Sequence, residues 1–89
     1  MTQKKHKVQV KNALGLHTRP ATAIVKLLQN SKCDVFFTHK RETINAKSIL
    51  SILMLAAKKN SKITITVDGE DSEDTLQKLV EAFENRFGE

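Results

Sequence analysis

Ile63-Thr64-Ile65-Thr66-Val67-Asp68-Gly69 alternates apolar and threonine side chains without a break. A period of two marks a half-buried strand, and Asp68-Gly69 supplies its turn. Asp71, Ser72, Glu73 and Asp74 come next. They offer a cap and acids suited to the positive end of a helix dipole. Leu76, Leu79, Val80, Phe83 and Phe87 then fall at i, i+3, i+4, i+7 and i+11, one apolar stripe that predicts a helix through Phe87. A one-faced strand feeding a one-striped helix must bury both against a second layer.

Upstream, His6, Val8 and Val10 alternate with Lys7, Gln9 and Lys11, a second half-buried strand. Asn12 to Leu16 is a loop. Ala21, Ile24, Val25 and Leu28 lie on one face of a helix from Thr18 to Gln29, with Pro20 in its first turn, where no N–H is needed. Val35-Phe36-Phe37 and Thr43-Ile44 read as two short strands linked by His39-Lys40-Arg41-Glu42, a hairpin without a strong turn dipeptide. Ile49 to Leu55 is a short helix. The order is β-α-β-β-α-β-α, an α+β two-layer open-faced sandwich. A four-stranded antiparallel sheet is expected to carry three helices on one face. Lys7, Gln9, Lys11, Thr64 and Thr66 fit its wet face.

At 89 residues the chain forms one domain, 1–89, with about 60–65% of its unfolded surface buried. A deep enclosed active site does not fit that size, so chemistry should sit at the surface. No apolar run reaches the ~18–20 residues that span a bilayer, and no apolar stretch follows the basic start Met1-Thr2-Gln3-Lys4-Lys5-His6-Lys7. A cytoplasmic protein is expected, without membrane insertion. The net charge of +5 favours acidic partners without choosing among them. Cys33 is alone, so it forms no internal disulfide and reads as a buried thiol before an apolar run. His6 and His39 have no companion ligands at metal spacing, and neither a metal nor an organic cofactor is expected.

Chemistry concentrates in Gly15-Leu16-His17-Thr18-Arg19-Pro20-Ala21. The first N–H groups of a helix lack internal partners and carry partial positive charge, which attracts an anion. Arg19 adds a forked guanidinium suited to phosphate oxygens. His17 supplies a ring nitrogen able to attack phosphorus near pH 7. These residue types fit anion binding, yet they do not separate a phosphorylated histidine from a bound phosphate or from a polar loop residue. Ile49, Leu50, Ile52, Leu53, Met54 and Leu55 are apolar almost all round the short helix. Such a helix on a sandwich buries one side. The other side either sinks into the core or forms an exposed docking patch.

The seven residues from Gly15 to Ala21 resemble the phosphorylation site of the HPr/NPr family, the histidine phosphocarriers of the phosphoenolpyruvate-dependent phosphotransferase system. Asn45-Ala46-Lys47-Ser48-Ile49-Leu50 is similar to the family's regulatory-serine region, at the family's spacing from the histidine. The element order follows the family from about Lys5 to Phe87. The resemblance implies that His17 accepts a phosphoryl group on Nδ1 from phosphorylated enzyme I and passes it to an EIIA-type protein. It implies that Arg19 contacts that group, with the backbone N–H groups of Thr18 and Arg19 as helix-end donors. Ile49, Leu50 and Leu53 would form the partner surface, rimmed by Lys26 and Lys47. Ser48 would be the target of an HPr kinase/phosphorylase, or serve only as a helix cap. The chain would be a monomer and a carrier rather than an enzyme.

Two branches stay open. Lys47-Ser48-Ile49 resembles the sugar-transport branch. Leu53-Met54-Leu55 and Ala82-Phe83-Glu84-Asn85-Arg86-Phe87 are similar to the nitrogen-related NPr branch, and Ser51 stands where sugar-system members commonly have glycine. An RNA-binding α+β module would need exposed aromatics for stacking. This chain has no Trp or Tyr, and its four Phe read as core, so no nucleic acid is expected. A phosphatase would need a general base, and no Asp or Glu lies near residues 12 to 22 in the sequence.

Overall fold

The computed structural model describes residues 3–89; Met1 and Thr2 of the basic start lie outside the described residues. The elements are β1 (Gln3–Gln9), α1 (Thr18–Leu28), β2 (Asp34–His39), β3 (Glu42–Asn45), α2 (Ile49–Leu55), β4 (Lys62–Asp68) and α3 (Ser72–Glu84), followed by a 3₁₀ turn at Arg86–Gly88. Among the described residues the four strands form one antiparallel sheet in the order β1-β4-β2-β3. Helices cover one face, so the α+β two-layer sandwich stands as read. No helix among the described residues is long and apolar enough to cross a membrane.

The strand with the cleanest alternation takes a central place. Ile63, Ile65 and Val67 of β4 point into the core, while Thr64 and Thr66 stay half-exposed on the other face. In the register Val8 lies opposite Ile63, Phe37 opposite Ile65 and Val35 opposite Val67, so one apolar layer runs across three strands. Ala21, Ile24 and Leu28 of α1, Ile52 and Leu55 of α2, and Leu79 and Phe83 of α3 close over it. Each fully buried side chain of this size contributes about 1.5–3 kcal/mol. Phe37 and Phe83 meet edge to face at 5.7 Å, and Phe83 meets Phe87 at 4.9 Å. Cys33 is buried as expected.

Several sequence expectations need correction. The last helix stops at Glu84. Arg86 and Phe87 take left-handed backbone angles, φ 55° and 54°, which bend the chain while Phe87 still packs against the core. Periodicity registers the apolar side chain and is blind to that bend. Helix α1 likewise ends at Leu28, with Gln29 as its cap. His6 is exposed: it sits on the edge strand β1, whose inner face is covered only from Val8 onward. Phe36 is also exposed, on the outer face between Asn45 and Thr66, so only three of the four phenylalanines belong to the core or its margin. The hairpin link is two residues, Lys40-Arg41, because His39 and Glu42 pair with one another. Asp71 occupies the N-cap of α3 without capping it; its carboxylate instead accepts from the Lys32 N–H and the Ser31 hydroxyl, tying α3 to the start of β2.

Three backbone hydrogen bonds set the upper end of the fold. The Val10 N–H donates to Ser61 O (2.8 Å), the Asn60 N–H to Val10 O (2.7 Å), and the Leu16 N–H to Ala57 O (2.9 Å). The loop before α1 is thereby clamped to the loop before β4. Gly15 makes the approach possible: its φ is +69°, and a Cβ there would stand 2.3 Å from Ala57 O.

Candidate functional site

His17 is the N-cap of α1, in extended backbone geometry, and its side chain makes no capping hydrogen bond. Serine, threonine, asparagine or aspartate would ordinarily occupy such a position and bond the helix's own amides. Here the amides stay free. Ala21 N–H donates to His17 O, Pro20 has no N–H, and those of Thr18 and Arg19 have no acceptor among the described residues. No acidic residue lies in the first turn. An uncapped helix start with its positive end bare is suited to receive an anion.

The imidazole is half-exposed, and its Nε2 lies 3.1 Å from Glu89 Oε2 and 3.3 Å from Oε1. Nδ1 has no protein partner among the described residues. A carboxylate accepts only, so Nε2 carries the proton of this pair, and in the neutral ring the lone pair falls to Nδ1. Glu89 is held in turn by Asn12, whose Nδ2 donates to Glu89 Oε1 and to Arg86 O (2.8 Å). Asn12 is almost wholly buried, while its Oδ1 meets no donor among the described residues. The Asn12 hydrogen bond is the main cause that holds the Glu89 carboxyl below the usual range. Partial burial opposes it, and the His17 hydrogen bond and the charges of His17 and Arg19 add smaller contributions. Asn12, Ala13, Leu14, His17, Arg86 and Glu89 line a shallow depression of about 270 Å³.

This overturns one sequence inference. No acid is near His17 along the chain, but the 3₁₀ turn after α3 brings one back across 72 residues. Asn12 and Glu89 are the site residues that sequence reasoning missed. Nothing local marks either of them, since their contact exists only after α3 has docked and the chain has bent at Arg86 and Phe87.

The other expected residues separate into two groups. Thr18 and Arg19 are exposed in the first turn of α1, beside His17. Ser48 is the N-cap of α2, and its Oγ accepts from Ser51 N–H at 3.2 Å. Ile49, Leu50 and Met54 are exposed, at 38%, 67% and 70%, while Ile52 and Leu55 face the core. The helix therefore buries one side and leaves an apolar patch on the other. Leu53, expected on the patch, is only half-exposed and packs against the core margin. Leu14, at 77%, is a further exposed apolar side chain. Lys26 is exposed in the last turn of α1, whereas Lys47 is tethered by a 3.1 Å hydrogen bond from Nζ to Ser31 O. No group of three or more potential metal ligands occurs among the described residues.

Residues 4–85 match the family model described as the PTS HPr component phosphorylation site. The chain belongs to the HPr family. The phosphocarrier protein HPr of Chlamydia pneumoniae is 50% identical over 80 residues, covering 90% of this chain and 74% of that one. Two solved HPr structures superpose closely. That of Thermoanaerobacter tengcongensis has a TM-score of 0.92 at 30% identity, covering 97% of each chain. That of Bacillus anthracis has 0.88 at 36% identity, covering 93% of this chain and 99% of that one. A further structure from Thermoanaerobacter tengcongensis is an HPr dimer (TM-score 0.78, 30% identity, 92% and 94% covered). An HPr-family chain is a phosphocarrier of the phosphotransferase system and works with phosphotransferase partners; at that level the function of this chain is settled.

Proposed function

We propose that His17 Nδ1 accepts a phosphoryl group from phosphorylated enzyme I and passes it to an EIIA-type protein. The observation that carries this reading is the division of labour on one ring: Nε2 is engaged by Glu89, and Nδ1 is free at an uncapped helix start. The Nδ1 lone pair attacks phosphorus, the bond between phosphorus and the donor group breaks, and the donor group leaves with its electron pair. The Nε2 proton stays on His17, where the Glu89 carboxylate balances the positive charge that develops on the ring. The Thr18 and Arg19 amides and the Arg19 guanidinium receive the phosphoryl oxygens. Glu89 has a second effect: a carboxylate near a phosphoryl group is repelled by it, so the loaded state is kept from becoming a sink. A carrier must release what it accepts. This reading makes the chain a monomeric carrier with no catalytic turnover of its own.

With labelled phosphoenolpyruvate and enzyme I, the chain should take up one acid-labile phosphate, and His17→Ala should take up none while keeping its fold. Equal labelling of the variant refutes the assignment.

We assign the partner surface to Ile49, Leu50 and Leu53 of α2, with Lys26 and Lys47 at its rim, since an apolar centre with a charged border suits docking. Ser48 stands at the edge of that patch, and a phosphate on it would add about −1.5 to −2 charges. Ser48→Asp is accordingly expected to slow acceptance from enzyme I with unchanged far-UV circular dichroism. An unaltered rate would leave Ser48 as a helix cap alone.

A further inference from the structure

A second, larger depression lies between the β2–β3 turn and the segment joining α2 to β4, with a volume of about 610 Å³. It shares no lining residue with the depression at His17. Lys40, Lys58, Lys59 and Lys62 line it, four of the chain's 15 basic side chains, and no carboxylate does. Glu42 is paired with His39 across the hairpin but does not reach the lining. None of the four ammonium groups has a hydrogen-bond or ion-pair partner among the described residues. Concentrated like charge without a counterion is unfavourable in the empty protein, and an anion relieves it.

The backbone around this depression is unusual. Among the described residues five non-glycine residues have left-handed φ angles: Arg86 lines the His17 depression and Phe87 follows it, while Lys40 (57°), Ala56 (53°) and Asn60 (75°) all lie at the lysine-lined depression. A left-handed angle at the first residue of a two-residue hairpin turn ordinarily selects glycine. Lysine there retains a long cationic side chain in an unfavourable backbone position, and such positions cluster at functional sites. The opposite wall is rigid. Ser61 N–H donates to Lys58 O, Lys58 N–H donates to the Ser61 hydroxyl, and Asn60 N–H is anchored on Val10 O. Lys58 and Lys59 are thus presented from a pinned turn rather than a loose loop.

We propose that this depression binds a short chain of phosphates, the chemistry shared by inorganic polyphosphate and nucleoside di- and triphosphates. Its size falls within the roughly 300–1,000 Å³ of small-molecule sites. Four flexible point charges suit several phosphate groups in sequence better than one planar anion, which arginine would hold. No Phe, Trp or Tyr lines it and His39 supplies a single ring, so the succession of base-stacking side chains used by single-stranded nucleic-acid sites is missing.

The test is a titration of the ¹⁵N-labelled chain with inorganic tripolyphosphate at constant ionic strength, and in parallel with ATP. Saturable amide shifts confined to residues 39–40 and 56–62 are expected. Lys58→Gln/Lys59→Gln/Lys62→Gln should weaken binding by roughly tenfold or more, with labelling of His17 by enzyme I unchanged. Should the triple variant alter the rest of the spectrum, Lys59→Gln alone gives the comparison, with a smaller loss. Equal affinity for the two ligands identifies the phosphate chain as what is read; tighter binding of ATP identifies a nucleotide. Three results overturn the proposal: no saturable shift at millimolar ligand, shifts centred on Thr18 and Arg19, or wild-type affinity in the variants. Tighter binding of a single-stranded oligonucleotide than of tripolyphosphate would also overturn it, in favour of a nucleic-acid surface.

Discussion

At His17 the relevant chemistry is decided by which ring nitrogen is occupied. Glu89 takes Nε2 and is itself oriented by the buried Asn12, so a chain of three side chains leaves Nδ1 without a partner among the described residues. Glu89 is a positioning residue in this account. Glu89→Gln should lower the initial rate of labelling by enzyme I several-fold while leaving the final stoichiometry at one phosphate. A changed stoichiometry with an unchanged rate would contradict it. The same variant tests the electrostatics. The Glu89 carboxyl is held below the ordinary glutamate range, first by Asn12 and then by His17. The stabilisation it brings is therefore present above the ordinary glutamate range and is lost as pH falls through the lowered value. The Tm difference between the native chain and Glu89→Gln should be constant near neutrality and close in acid; a gap that widens in acid would show the sign to be wrong.

At the scale of elements, α2 has two faces with different tasks. Ile52 and Leu55 hold it on the sheet, and Ile49, Leu50 and Met54 are left to solvent. Large apolar side chains exposed side by side on seven residues serve packing poorly and docking well. Leu50→Arg should accordingly lower affinity for enzyme I by roughly tenfold, with a change in stability within about 0.5 kcal/mol, as for ordinary surface sites. Chemical denaturation and a binding titration separate the two, and a large loss of stability would place Leu50 in the core instead. Helix α1 shows the converse economy: its N-cap position is given to a side chain that does not cap. The stabilisation forgone there, about 1 kcal/mol for a good cap, leaves the Thr18 and Arg19 amides available.

On the scale of the whole molecule, the site depends on two loops being locked together. Gly15 lies so close to Ala57 that any Cβ would collide with the carbonyl that receives Leu16 N–H. Gly15→Ala is expected to destabilise the domain by about 2 kcal/mol or more, from the left-handed φ and the clash together. For a domain of this size that corresponds to a Tm lower by roughly 10 °C. A Tm within about 2 °C of the native value would mean that the loops separate at little cost. The same clamp carries the segment from Ala56 to Ser61, so the His17 loop and the wall of the lysine-lined depression share one support.

Much of this was legible in the residues themselves. Alternation in Ile63–Val67, the stripe from Leu76 to Phe83 and the apolar faces of α1 and α2 follow from periodicities of two and 3.6, which are local properties. The motif around His17 fitted an anion site by residue type, and its resemblance to the family's phosphorylation site, not its spacing, pointed to phosphoryl chemistry. What sequence did not supply was every relation between distant segments. Glu89 reaches His17, and Asn12 reaches Glu89, only because α3 docks and the chain then bends at Arg86 and Phe87, two residues with no local signal for a left-handed backbone. His6 carried the right pattern and still faces solvent, because covering a strand position requires an element above it, whereas Phe36, between the buried Val35 and Phe37, falls on the outer face by the alternation of β2 itself. The sequence by itself determined the layers, the helix starts and the position of His17 at the start of α1. Only the tertiary structure decided which carboxylate holds that histidine, which side of α2 stays bare, and where four lysines without counterions gather.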